Sequence, residues 1–319
     1  PPLDAFSIHD VGRFVVVVTV IATSVGLALL RHALSPRRTD HRAAIAAACD
    51  GLVSAFLRLG PTFVKAGQIL ASSGSLVPEP LVTAARRCLD EVPSFPGEVA
   101  RATVAEDLGR PLHEVFRSFD VEPLSAASIG QVHACVLADG REAVVKVQRP
   151  GIRTAMAQDL RNSYRIARLF ERTPWGRASG ACDIIADLHA VTFQELNPTL
   201  EAWQQHRFRS RIGAFGDNTM ITAPEVYWDH CGPRTICMER VRGVPMDRFD
   251  DLAARGLDLQ LVVRRGAKVW AEAAMVHGPF HGDMHAGNIW ALDDGRGCYL
   301  DFGIMGELSL EWRGVLKDL

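Results

Sequence analysis

The stretch His281-Gly282-Asp283-Met284-His285-Ala286-Gly287-Asn288, followed thirteen residues after its Asn by Asp301-Phe302-Gly303, restricts the fold more than any other feature of this chain. Between the two motifs, Ile289–Leu292 reads as a strand, 293–297 (Asp-Asp-Gly-Arg-Gly) as a turn, and Cys298–Leu300 as a second strand. A hairpin of this kind folds Asp301 back toward Asn288. Taken singly, HGD, GN and DFG read as turns with solvated acids, because Asp-Gly and Gly-Asn pairs punctuate loops. Together, in this order and spacing, they point to nucleotide chemistry.

Phosphoryl transfer supplies a reason for each residue type. One Asp positions or deprotonates the attacking hydroxyl, an Asn five residues on holds a metal ion, and a second Asp before Phe-Gly holds metal bridging the phosphates. Asp283, Asn288 and Asp301 stand in that order. Such a site also needs a cation on the phosphates, and Val144-Val145-Lys146-Val147-Gln148 supplies Lys146 in a β-branched run. A charge there is costly to bury without a partner, although a strand-edge lysine reaching water is the alternative. Upstream, Ser125-Ala126-Ala127-Ser128 sits where a glycine-rich loop would be expected. Its small residues let backbone N–H groups approach phosphates, but alanine restricts the positive-φ conformations that glycine permits.

On these motifs the chain resembles the UbiB (AarF) family of atypical, protein-kinase-like proteins over roughly residues 50–310. The resemblance rests on the alanine-rich loop with Gln131-Val132-His133, the run from Val145 to Gly151, HGDMHAGN, and above all Lys65-Ala66-Gly67-Gln68, which matches the family's KxGQ motif. It implies an α+β, bilobal protein-kinase-like fold with an N-terminal helical extension carrying KxGQ. It further implies that Lys65 and Gln68 occupy what would be the protein-substrate site, favouring ATPase or small-molecule chemistry. On their own physics the two share one face of a helical pattern running from about Ala48 to Ser72, and could be a solvated surface pair. By the same match Glu201 pairs with Lys146 and Glu195 faces Lys65. The family's ExD aspartate is here Asn197, and Asn197-Pro198 places a break just before the helix bearing Glu201. Ala286 stands where the family has Pro, and His285 stands two residues after the catalytic Asp, as a γ-phosphate contact or as a structural histidine bonded to loop backbone. Ile236–Val241 with Gly243 resembles the hinge between lobes, with Glu239 the candidate for base or ribose contact or simply a solvated side chain.

Net charge is −2, from 35 basic and 37 acidic residues, so no overall basic field suggests nucleic acid. Seven scattered cysteines with no CxxC fit reduced thiols rather than a zinc or disulfide framework. Phe14–Leu30 is an uncharged run of 17 residues between Arg13 and Arg31, about 25 Å as a helix, at the short end of a bilayer span. Arg31, Arg37, Arg38 and Arg42 follow it, so a spanning helix would leave the body in the cytoplasm. A buried or oligomer-interface helix is the alternative.

The expected organisation is an anchor and basic linker over 1–45, a helical extension over 46–118 with a turn at Asp90–Pro93, a small lobe with helical insertion over 119–241, and the start of a large lobe over 242–319. Strands are expected around 119–147, at Ile221–Val226 and at Thr235–Arg240, with helices over 152–172, 183–211 and 251–277. Set against the family, the large lobe reads as shortened. The expected function is a membrane-associated kinase or ATPase using Mg-ATP or Mg-ADP (ATP/ADP and Mg2+ as cofactors). Membrane lipids or quinone precursors, and a biosynthetic complex or homodimer, are its expected partners. A soluble small-molecule phosphotransferase of the aminoglycoside or choline kinase type, and a non-catalytic nucleotide-sensing scaffold, are the competing readings.

Overall fold

In the computed structural model of the protein the hairpin between the two loops forms in the expected register. Ile289 pairs with Tyr299, Trp290 with Cys298 and Ala291 with Gly297, and the Leu300 N–H donates to the Asn288 carbonyl at 2.8 Å. The structure describes residues 2–36, 39–72, 77–90, 94–214, 216, 218–256 and 258–318; Arg37, Arg38 and residues 91–93 of the expected turn lie outside these. The chain divides into two units that interleave along the sequence. The first comprises Pro1–Phe95, Ser125–Gln131 and Arg149–Thr192, the second Pro96–Leu124, Val132–Gln148 and Phe193–Leu319.

The first unit is helical. It contains α1 (Ile8–Ala33), α2 (His41–Leu59), α3 (Pro61–Ser72), α4 (Glu79–Ala85) and α5 (Arg87–Asp90). Ser7 and Asp10 form a reciprocal capping box that starts α1, and the Asp40 side chain caps α2. Val53, Val64, Ala84, Ala85 and Cys88 form its core, drawn from α2, α3, α4 and α5. The continuous helix expected from Ala48 to Ser72 is two helices. Gly60 adopts φ 99°, which ends α2, and Pro61 has the fixed φ suited to the first position of α3.

The second unit opens with α6 (Gly97–Leu108) and α7 (Leu112–Val115), followed by β1 (Phe116–Ala126), β2 (Gly130–Leu137) and β3 (Glu142–Gln148). Then come α8 (Ile152–Phe170), α9 (Pro174–Ser179) and α10 (Ala181–Glu195), largely of the first unit, and α11 (Pro198–Ala214) of the second. The chain continues through β4 (Ile221–Thr222), β5 (Thr235–Glu239), β6 (Gly243–Pro245), α12 (Phe249–Ala254), α13 (Leu259–Glu272), β7 (Phe280–His281), β8 (Ile289–Leu292), β9 (Gly297–Tyr299), β10 (Met305–Gly306) and α14 (Leu310–Asp318).

One sheet has the order β1-β2-β3-β5 and another β4-β9-β8-β6, while β7 and β10 pair separately. The expected strand Ile221–Val226 is only two residues long and runs parallel to β9 in the second sheet, because Pro224 interrupts the run. Val226 makes just an isolated bridge to Met238. The helix expected over 251–277 is likewise α12 and α13, the second started by the Asp258 side chain accepting the Leu261 N–H. Phe208, Tyr299, Phe302 and Val269 anchor the core of this unit.

Candidate active site

Lys146 lies on β3 opposite Ile236 of β5, so apolar neighbours flank it and its side chain is 23 % exposed. Its Nζ donates to Glu201 Oε1 at 2.6 Å and stands 3.6 Å from Asp301 Oδ1. Glu201 sits in the first turn of α11 and is nearly buried, while the Asp301 side chain is 52 % exposed. Burial alone would lower the Lys146 pKa, but the carboxylates of Asp301 and Glu201 outweigh it and hold the ammonium above its ordinary value. Burial pushes Glu201 up in spite of Lys146. Asp301 is held below the usual carboxylate range by the Lys146 charge, against the effect of burial.

The start of α11 explains how Glu201 is aimed. Asn197 Oδ1 accepts the Leu200 N–H at 3.1 Å and the Asn197 carbonyl accepts that of Glu201 at 3.1 Å, with Pro198 opening the helix. The residue that departs from the family's ExD motif thus caps the helix carrying the lysine's partner. Two turns on, Phe208 packs against Phe302 with ring centroids 5.4 Å apart. One helix therefore carries both the glutamate and a wall for the Phe-Gly segment beside Asp301.

Asp301 has φ 57°, a left-handed conformation uncommon for a non-glycine residue, and its Oδ1 accepts the Gly303 N–H at 3.3 Å. What holds this turn is His281, whose role the sequence did not disclose. Its ring is fully buried against Tyr299 and Phe302. Nε2 donates toward the Leu300 and Asp301 carbonyls at 3.0 and 2.7 Å, while Nδ1 accepts the Asp283 N–H at 3.2 Å. That pattern places the proton on Nε2 and ties the loop bearing Asp283 to the turn bearing Asp301. Pairing of Met305 with His281 and Gly306 with Phe280 fastens the same two segments.

Within the loop, Asn288 Nδ2 donates to the Asp283 carbonyl at 3.1 Å and to its carboxylate at 3.4 Å, leaving Asn288 Oδ1 as the acceptor able to ligate a cation. His285 Nδ1 accepts the Gly287 N–H at 3.1 Å, and its Nε2 lies 3.8 Å from Asp283 Oδ2, so this ring is bonded to loop backbone. Two indoles bracket the loop. Trp270 Nε1 donates to the His281 carbonyl at 2.8 Å and Trp290 Nε1 to the Gly287 carbonyl at 3.2 Å. Glu239 turns its carboxylate to Arg209 at 3.3 Å and to the Glu225 N–H at 3.1 Å.

The structure thus gathers Lys146, Glu201 and Asp301, and joins to them, through His281, the group of Asp283, His285 and Asn288. The remaining sequence candidates belong to the first unit. Lys65 and Gln68 lie on α3, where Gln68 Nε2 donates to the Cys88 carbonyl at 3.1 Å. A Cβ on Gly67 would fall 2.3 Å from Cys88 Sγ, so the glycine of KAGQ is required by close helix packing. Ser125 and Ala126 end β1, and the Ala127 N–H donates to the Gly130 carbonyl at 2.8 Å, closing a turn over Ser128. Gln131, just after it, is fully buried and exchanges hydrogen bonds with the Phe95 backbone at 3.1 and 3.2 Å.

Asp301 and Asn288 offer hard oxygen donors on adjoining loops, one of them an ionised carboxylate. Magnesium, which keeps waters and substrate phosphates among its ligands and needs few protein groups, fits that set.

Residues 87–319 match the ABC1 atypical kinase-like domain. An uncharacterized Mycobacterium tuberculosis protein is 38 % identical over 268 residues, covering 84 % of this chain and 55 % of its own. The probable protein kinase UbiB of Azotobacter vinelandii is 36 % identical over 256 residues, covering 79 % of this chain and 47 % of its own. The chain spans about half the length of the curated relatives it matches. Among solved structures, Rv3197 of Mycobacterium tuberculosis, determined with erythromycin, is similar with a TM-score of 0.56 and 29 % identity over 76 % of this chain and 60 % of its own. With an α+β kinase-like architecture and a match over most of its length, this chain belongs to the ABC1 atypical kinase-like family.

Proposed function

We propose that the protein is a membrane-associated atypical kinase or ATPase that binds Mg-ATP or Mg-ADP and supports isoprenoid-quinone or related lipid biosynthesis. The observation that carries the catalytic part is the Lys146 ammonium held between Glu201 and Asp301. Glu201 fixes the ammonium where it can meet nucleotide phosphates, and Asp301 stays ionised to receive a divalent cation. Magnesium, when bound, would neutralise charge on the phosphates. Asp283 orients or deprotonates the attacking water or hydroxyl, Asn288 would offer its amide oxygen to a bound magnesium, and His285 keeps the loop in shape. On family resemblance, Lys65, Gln68, the Ser125–Ser128 turn and Glu239 are proposed to act on the nucleotide or the acceptor. The quinone link is proposed on the resemblance to the UbiB family alone, as are the partners: membrane lipids or quinone precursors, and a biosynthetic complex or a second copy.

The test is ATP hydrolysis by the intact protein, with and without lipid vesicles, beside Lys146→Ala and Asp301→Asn. Turnover that is lost in both variants supports the reading. Equal hydrolysis by all three would remove these residues from the chemistry.

A further inference from the structure

Helix α1 is long and apolar enough to cross a membrane, yet one stripe of it packs against α2 and α8 of the same unit. Val17, Val20, Ser24 and Ala28 recur at helical spacing and are partly or fully covered. A Cβ on Gly51 of α2 would fall 2.8 Å from Val25 Cα and 2.9 Å from the Ser24 carbonyl, so the two helices meet backbone to backbone. Arg58 of α2 donates to Ser24 Oγ at 3.1 Å. At the other end Arg13 binds Asp159 at 2.7 Å and the Leu59 carbonyl at 2.7 Å, while Asp10 is enclosed by Arg161 and Arg165 of α8.

A crossing helix must offer lipid an apolar surface all round and satisfy its polar groups internally. Here a crossing would pull α2, with Arg42, Asp50 and Arg58, and α8, with Asp159, Arg161 and Arg165, into hydrocarbon, where each charge is costly. The outer face is of another kind. Phe14, Val15, Val18, Leu29 and Leu30 are all exposed. The Thr23 hydroxyl on that side donates back to the Thr19 carbonyl at 2.7 Å, so it asks nothing of water. Phe6, just before the helix, is exposed as well, beneath the Arg165 guanidinium at 5.2 Å. Exposed Arg31 in the last turn of α1 and Arg42 in the first turn of α2 supply positive charge at the C-terminal end of α1, the complement of anionic headgroups.

We propose that α1 lies in the plane of an anionic bilayer, its outer face in the headgroup–acyl boundary and its inner stripe docked on α2, so that this segment does not cross. The proposal rests on the membrane association proposed above and replaces the spanning helix expected from the sequence.

The test uses the intact chain with vesicles of phosphatidylcholine alone and of phosphatidylcholine with phosphatidylglycerol. Flotation is expected with the anionic vesicles, and Phe14→Glu with Val18→Glu together should lower partitioning by about tenfold or more. Circular dichroism of that double variant reports whether it is folded. Tryptophan placed singly at Val15, Ala22 or Leu29, exposed positions two turns apart, reads depth through quenching by brominated lipids, as the difference from the parent chain. Equal, shallow quenching at all three is expected. Deepest quenching at Ala22, with Val15 and Leu29 near opposite surfaces, would mean a spanning helix and would overturn this proposal alone. Failure to bind either vesicle would overturn it together with membrane association, and self-association abolished by the double variant would assign the face to a second copy.

Discussion

Two ion-paired seats, one in each unit, are built on opposite plans. Around Asp10 the carboxylate is fully buried and fully answered: Arg161 grips both oxygens at 2.6 and 3.0 Å, Arg165 adds a bond at 2.9 Å and the Ser7 N–H another at 3.2 Å. Around Lys146 one ammonium is shared unevenly, 2.6 Å from Glu201 and 3.6 Å from an Asp301 that remains half open to solvent. A closed seat fastens a helix. An open one leaves a charged group partly unanswered, which is the condition for receiving a ligand.

The largest expected effect breaks the open seat. Lys146→Met should lower kcat/KM for ATP hydrolysis by about 10²- to 10³-fold, because charge stabilisation of the transferring phosphoryl group is lost, while vesicle flotation is retained. The same variant sharpens the electrostatic argument through pH. In the parent chain the contribution of Asp301 to stability is present above its unfolded value, about 3.9, and is lost only as pH falls through its depressed folded value. Without the lysine that depression disappears, so the acid limb of the Tm-against-pH profile should move to higher pH. Breaking the closed seat gives the converse pattern. Asp10→Asn removes the charge that Arg161 and Arg165 share and should cost about 3 kcal/mol in urea unfolding, with ATP turnover per folded molecule unchanged.

Smaller effects separate packing from chemistry. Gly67→Ala forces α3 off Cys88 and should cost about 1–3 kcal/mol, so lost activity in such a variant reports helix position rather than a missing ligand. Asn197→Ala removes the cap of α11 and should cost about 1 kcal/mol. Asn197→Asp caps equally well and should leave the melting temperature almost unchanged, while restoring the family's ExD carboxylate. A change in ATPase rate or magnesium dependence in that variant would isolate the carboxylate's role.

Much of the second unit was legible because its signals are local. The β8–β9 hairpin announces itself in Asp293-Asp294-Gly295, and the break before α11 in Asn197-Pro198. The membership of Lys146 in a buried strand followed from β-branched neighbours. His281 escaped, since its ring acts through carbonyls 19 and 20 residues away and nothing in its immediate sequence signals this. The docking of α1 was less accessible still, for Asp10 and Arg161 stand 151 positions apart. Periodicity read Ala48–Ser72 as one helix because apolar spacing carries across Gly60-Pro61, although that dipeptide is itself a break signal. Ile221–Val226 looked like a strand from its residue types, yet partner choice is set by the sheet it joins.

The indole bonds at either end of the catalytic loop give the protein a built-in optical probe. Trp270 and Trp290 hold the carbonyls of His281 and Gly287, so movement of the loop between those carbonyls strains or releases one of the contacts. Their emission, compared with that of Trp290→Phe, can then follow that movement in an unlabelled sample during a single mixing event.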